Sequence, residues 1–403
     1  LNNVTPKPAL PQAEFVALMA IMTSLVALSI DCMLPALPEI GRDLQVSDAN
    51  DNQLIISLLF LGMALGQLFF GPLSDSLGRK PAVAIGMAVF VLGSLLSIVA
   101  TDFSTMLLGR ILQGIGLGAP RTVSIALIRD MYQGQAMARV MSFIMTVFIL
   151  APMVAPAVGQ AILLWAGWQA IFVAILLQGL LVLLWFYWRQ PETLLPAQRV
   201  PFSLLHIKRA IMEVLRNPVA LGYTLMAGFV FGAFLAYLAS TQQLFQQQYK
   251  LGAWFPALFA LLALAVGGAS FTNGRLVMRF GMQYICARSL WLLTGVSLLF
   301  CIVVWQFMGH PPLWLLVLYF LISLFCTGLL FGNINALAME PLGHIAGVGA
   351  AVVGSLSTLI SVPLAVFIGG AYQGSVQPLV MGFGSCAAIA LLLMRWTEAR
   401  RVS

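Results

Sequence analysis

Charged side chains make up only 8% of the 403 residues, while 61% are apolar. Soluble domains carry about 25% charged residues, so this composition rules out an ordinary water-soluble fold and implies an integral membrane protein. Acids are scarcer than bases, 13 against 20. The resulting net charge of +7 does not signal nucleic-acid binding, because the bases stand scattered between apolar runs instead of clustering on a soluble face. Cysteine is sparse as well. Cys32, Cys286, Cys301, Cys326 and Cys386 lie in or beside apolar runs with no Cys-x-x-Cys pair, which argues against a disulfide framework and a zinc site. Metal clusters, phosphate loops and nucleophile constellations are missing, so neither an enzyme, an ATP-driven pump, a metal nor another cofactor is expected. Up to Pro11 no basic segment precedes a short apolar stretch and cleavage site, so no removable leader is expected.

Long apolar runs dominate what is present. At about 20 residues per crossing, spans are predicted near 14–37, 52–71, 81–100, 105–127, 140–164, 168–188, 218–240, 254–273, 283–305, 312–335, 347–370 and 377–396. The expected fold class is therefore an all-α integral membrane protein with twelve transmembrane helices. With the N-terminus inside, Lys7, Arg79, Lys80, Arg129, Arg139, Arg189, Arg199, Lys208, Arg209, Arg216, Arg275, Arg279, Arg288, Arg395, Arg400 and Arg401 fall at cytoplasmic ends. Only Arg42 and Lys250 fall outside. That asymmetry predicts that both termini are cytoplasmic.

The longest inter-span segment carries Pro191, Pro196 and Pro201 and divides six spans from six. The expected organisation is a six-helix bundle at 1–188, a linker at 189–216 and a second bundle at 217–403. Within the linker, Leu204, Ile207, Ile211 and Leu215 recur at helical spacing beside Lys208, Arg209 and Arg216. That pattern fits an interfacial amphipathic helix, and a solvated linker fits it nearly as well.

Between the second and third spans sits Gly71-Pro72-Leu73-Ser74-Asp75-Ser76-Leu77-Gly78-Arg79-Lys80. Glycines permit a sharp turn, Arg79 and Lys80 hold it on the cytoplasmic side, and Asp75 is left beside helix ends, where a carboxylate can bind a helix N-terminus. A worn second copy runs from Gly274 to Gly281, with Met278 where Asp75 would be. The decapeptide resembles motif A of the major facilitator superfamily, matched at Gly71, Leu73, Asp75, Gly78, Arg79 and Lys80. The resemblance implies a transporter built of two pseudo-symmetric six-helix bundles around a midplane cavity. A latch formed by Gly71, Asp75, Gly78, Arg79 and Lys80 would then be one-sided.

Three ionisable residues lie inside spans: Asp31 in the first, Arg110 and Arg121 in the fourth. A charge near the bilayer centre costs at least about 2.5 kcal/mol, so each demands a reason. Asp31 and Arg110 each lie six residues from the outer end, which predicts similar depth and an ion pair, direct or through water. Such a pair serves either as a static clamp or in proton coupling. Arg121 follows Arg110 by eleven residues, about three turns and about 16 Å along the same face. It either lines the cavity, favouring an anionic or zwitterionic substrate, or reaches the cytoplasmic interface to hold Asp75 or a helix C-terminus. The text around Arg110, with Gln113 and Gly114, resembles motif B, whose arginine is tied to proton transfer in relatives.

In the fifth span, Pro152, Pro156 and Gly159 predict a helix built to bend. The stretch resembles motif C of the drug:proton antiporters, although Ala151 and Ala155 stand where the family is richer in glycine. Together with Asp31 to Pro38, Leu127 to Tyr132 and Ala338 to Gly347, it is similar to the bicyclomycin-resistance (Bcr/CflA) family across all twelve spans. That resemblance implies a bacterial inner-membrane antiporter that exports small molecules or drugs against proton entry. Asp31 and Arg110 would couple protons, and the partners would be a small-molecule substrate, protons and the lipid bilayer, with one chain sufficing. Arg121 departs from the family's small or apolar residue, so an exporter of an anionic metabolite or siderophore stays open, as do a proton-coupled importer and a transport-inactive sensor. Uncharged cavity candidates are Gln113, Tyr237 and Asn333, with Tyr132, Gln160, Tyr223, Asn335, Ser355 and Thr358 behind them.

Overall fold

The structure is a computed structural model that describes residues 10–132 and 134–401. Lys7, one of the bases assigned above to cytoplasmic ends, lies outside them. All regular structure among the described residues is helical. In order the helices are α1 (Gln12–Asp31), α2 (Leu37–Asp43), α3 (Leu54–Leu77), α4 (Arg79–Ile98), α5 (Phe103–Met131), α6 (Gly134–Arg189) and α7 (Leu204–Arg216). They continue with α8 (Pro218–Gln242), α9 (Phe255–Phe280), α10 (Met282–Gln306), α11 (Leu313–Met339), α12 (Ala346–Gly370) and α13 (Gln377–Arg401).

Eleven helical stretches among the described residues are long and apolar enough to cross a membrane. One of them belongs to α6, whose 56 residues would extend about 84 Å, far beyond a hydrocarbon core of about 30 Å. Gly167 breaks α6 with φ 75° and ψ 177°, so its two arms are separate crossings and the total is twelve. An even number puts both ends of the described chain on one face, called here the termini face.

Local signals start and stop these helices where the chain must turn. The Asp102 side chain accepts from the Thr105 N–H at 2.9 Å and caps α5. Asn217 caps α8 by accepting from Val219 and Ala220, each at 3.0 Å, ahead of Pro218 in the first turn. Gly78 (φ 110°) joins α3 to α4, and Gly281 (φ 81°) joins α9 to α10 in the same backbone conformation. The worn repeat thus preserves the turn while losing the acid.

Packing separates the helices into two sets. In the first, α1 lies on α6, α3 and α4 on α5, and α4 on α6. In the second, α8 lies on α12 and α13, α10 on α11 and α13, and α9 on α11. The sets meet where α3 runs along α12 and α6 meets α9. Between α3 and α5, side chains at Gly62, Gly66, Gly114 or Gly118 would collide with the facing backbone, so the small residues allow this close approach. The linker helix α7 rests against α8 and α12 with Ile207, Ala210 and Val214 buried, and it keeps Leu204, Leu205, Met212 and Leu215 exposed.

Candidate functional site

A cavity of about 600 Å³ opens between the two sets. Its aromatic wall draws on both: Phe60 of α3 meets Phe231 of α8 edge-on at 5.5 Å, and Phe331 of α11 meets Phe234 at 5.3 Å. Along α8 the lining residues Ala227, Val230, Phe231, Phe234, Tyr237 and Leu238 form one helical stripe. Among the described residues, two charged ones line the cavity, Asp31 and Arg121, both from the first set.

Asp31 is the last residue of α1, where Pro35 and Pro38 soon interrupt the first span. Its side chain is buried, and Oδ1 has no hydrogen-bond partner among the described residues. A carboxylate held this way is expensive to keep charged unless a proton or a cation joins it.

Asp31 and Arg110 form no direct ion pair among the described residues. Arg110 is fully buried and donates to the Ser29 carbonyl at 3.0 Å, the Ile55 carbonyl at 2.9 Å and Gln113 Oε1 at 2.7 Å, with the Phe172 ring 5.8 Å away. The Ser29 carbonyl is one of the last four of α1, which have no partner within their own helix. Arg110 therefore caps the C-terminus of α1 and ties it to α3. Its side chain does not line the cavity.

Gln113 does not line the cavity either, because its oxygen serves Arg110 and its nitrogen donates to Ser94 Oγ at 2.9 Å. Asn333 likewise points away, exchanging hydrogen bonds with Asn273 of α9 at 2.8 and 3.2 Å. Both buried amides are satisfied by protein partners, as buried polar groups usually are. Two residues on, Asn335 does line the cavity, as do Tyr237, Thr358 and Pro152. Tyr223 bonds to Glu398, and Ser355 donates to the Ala64 carbonyl at 2.7 Å across the two sets.

α6 keeps helical backbone through Pro152 and Pro156. A side chain at Gly159 would strike the Cys32 carbonyl oxygen, so this glycine lets α6 pass the broken end of α1.

Away from the termini face, neutral amides join the two sets by hydrogen bonds. Gln53 donates to Gln243 Oε1 at 2.6 Å and to the Gly369 carbonyl at 3.2 Å. Gln243 donates to the Ala49 carbonyl at 2.9 Å and to Asn50 Oδ1 at 3.1 Å, while Asn50 reaches the Tyr372 carbonyl at 2.9 Å. The chain at Gln243–Gln248 is wound as a π-helix, the wider coil often found at functional sites. Toward the termini face the lining continues through Gln67, Arg121 and the exposed Asn335.

The decapeptide residues converge on Arg79. Its guanidinium bonds to Asp75, to Ser74 Oγ at 2.9 Å and to Asp130 at 2.9 Å. Glu192, a linker acid that the sequence reading passed over, accepts from the Arg79 and Lys80 backbone N–H groups at 2.9 and 3.0 Å and so caps α4. Lys80 Nζ donates to the Tyr187 carbonyl at 2.8 Å, and the Val200 N–H donates to the Asp75 carbonyl at 3.0 Å. Gly71 faces Ala351 of α12, where a Cβ would make ordinary van der Waals contact, and Gly78 makes the turn. Asp75 thus bonds within its own set of helices and the linker.

Residues 19–365 match the Major Facilitator Superfamily. The chain is 32% identical to the MFS-type transporter YdgK of Bacillus subtilis (strain 168), covering 92% of this chain and 91% of the relative. It is 29% identical to a bicyclomycin resistance protein homolog of Haemophilus influenzae over 96% of this chain and 97% of the relative. A multidrug resistance protein MdtL of Klebsiella pneumoniae is 28% identical over 93% of each. Among solved structures, the human organic anion transporter MFSD10 superposes with a TM-score of 0.72 at 18% identity, over 97% of this chain and all of that one. The D-xylose-proton symporter superposes with a TM-score of 0.73 at 13% identity, over 95% of this chain and 97% of that one; both likenesses concern the fold. By family match, near-full-length relatives and fold, the chain belongs to the Major Facilitator Superfamily, a family of membrane transporters and not of enzymes.

Proposed function

We propose that this protein is a proton-coupled antiporter of the bacterial inner membrane that exports small molecules by alternating access. The observation that carries the reading is Asp31: among the described residues it is the one acid lining the cavity, it is buried, and Oδ1 has no hydrogen-bond partner. A proton from the periplasm and a cargo from the cytoplasm would occupy the cavity in turn, because loading one changes the cost of keeping Asp31 charged. The names of the bicyclomycin-resistance and multidrug-resistance relatives support export as the direction.

In this reading the termini face is cytoplasmic, which agrees with where most of the bases lie. Segments 1–188 and 217–403 rock against each other as one chain, joined by the linker at 189–216. The amide cluster around Gln243 closes the periplasmic face in the cytoplasm-open state. Asp75, Arg79 and Lys80, with Gly71 and Gly78, stabilise the cytoplasm-closed state, and Pro152, Pro156 and Gly159 accommodate the movement of α6. Arg110 contributes by fixing the end of α1, which positions Asp31. The test is Asp31→Asn in inverted membrane vesicles energised by a proton gradient. Uphill transport should vanish while downhill exchange persists, and undiminished uphill transport would overturn the assignment.

A further inference from the structure

The cavity's second charge is unaccounted for by proton coupling. Arg121 lines the wall, and among the described residues its guanidinium has neither an ion-pair nor a hydrogen-bond partner. Asp31 does not neutralise it. Arg110 is held at the Ser29 carbonyl, beside Asp31 in sequence, and Arg121 lies eleven residues further along α5, about 16 Å deeper toward the termini face. The two charges therefore stand at opposite ends of the cavity. Between them lie Phe60, Phe231, Phe234 and Phe331, and the end near Arg121 adds the neutral amides of Gln67 and Asn335.

From this arrangement we infer that the cargo is an organic anion with a flat apolar body. Its carboxylate, or an acid of similar shape, would sit on Arg121 in the two-pronged geometry a guanidinium offers. Its body would lie among the four phenyl rings. The inference rests on the exporter reading and narrows its substrate class. A lipophilic cation fits less well: it finds the same rings and Asp31, but leaves Arg121 unpaired and shares a low-dielectric space with a like charge. The anion needs no cationic group of its own, because Arg121 pairs with its acid group about three helical turns away from the depth of Asp31.

The experiment uses the whole chain in lipid nanodiscs and matched triples of ligands, each triple a carboxylate, amide and amine on one body. Naphthalene, biphenyl and indole serve as bodies, and binding is read by calorimetry and by the rise in unfolding temperature. In at least one triple the carboxylate should bind most tightly. Arg121→Gln should weaken that carboxylate tenfold or more while leaving its amide unchanged, and Arg121→Lys should recover part of the loss. If no carboxylate outbinds its matched amine on the wild-type protein, or if Arg121→Gln leaves carboxylate binding intact, the inference is overturned. The wild-type charge order decides the matter even where the glutamine variant fails to fold. Failure here with Asp31-dependent uphill transport intact removes the substrate class alone. Transport independent of Asp31 removes the exporter reading instead.

Discussion

Replacing Gln243 with alanine should open the face of the protein opposite the termini. The side chain makes three hydrogen bonds across the boundary between the two helix sets: it accepts from Gln53 at 2.6 Å and donates to the Ala49 carbonyl and Asn50 at 2.9 and 3.1 Å. A neutral hydrogen bond contributes about 1 kcal/mol net, so the variant loses about 3 kcal/mol from the closed arrangement. At about 1.4 kcal/mol per tenfold, the balance between closed and open outer faces moves roughly a hundredfold toward open. Spin labels at the exposed Ser47 and Gln373, introduced with the native cysteines replaced, report the separation of the two sets on that face. Their distance distribution should shift to longer values in Gln243→Ala. A distribution identical to that of the unmutated protein would show that the amides do not hold this face shut.

Arg110→Ala should cost about 3–5 kcal/mol of stability, since it leaves the Ser29 and Ile55 carbonyls buried without their donor. Arg110→Lys should lose less, and thermal unfolding in detergent at pH 6 and pH 8 should give the same difference if the residue is a clamp. Gly159→Val forces a side chain against the Cys32 carbonyl and should destabilise by about 1–3 kcal/mol in the same assay. Hydrogen bonds from the Thr105 hydroxyl and N–H hold the Asp102 carboxyl below the ordinary carboxylate range. Because the folded value is the lower one, the stabilisation is complete above the unfolded value of about 3.9 and is lost as the pH falls through the folded one. Asp102→Asn should therefore lower the unfolding temperature equally at pH 6 and 8, with the gap to wild type closing below about pH 4.

Hydropathy alone carried most of the architecture, because a bilayer admits few alternatives to apolar helices of a set length. Even the Gly167 break was implicit, since no single helix spans 140–188 within one membrane thickness. The site was less legible. Asp31 and Arg121 stand out in sequence as charges in apolar runs, and both line the cavity. Arg110 stands out equally and does not, because depth along a helix says nothing about rotation around it, and backbone carbonyls are partners that no side-chain motif displays. Gln113 and Asn333 fail for the same reason: each is itself turned toward a neighbouring helix, Gln113 to Ser94 of α4 and Asn333 to Asn273 of α9. The stripe from Ala227 to Leu238 on α8 carries no charge that would single it out in the sequence. An equally apolar stripe facing lipid reads the same, so only tertiary packing separates the two. Glu192 escaped notice because its role depends on the linker folding back over the first turn of α4.

The most direct test of the account is proton release from the purified protein in weakly buffered detergent when an exported compound is added. The wild-type protein should release protons in proportion to the cargo bound, over the pH range in which export operates. Asp31→Asn should bind the cargo and release none. Equal proton release from the asparagine variant would contradict the claim that Asp31 carries the exchanged proton.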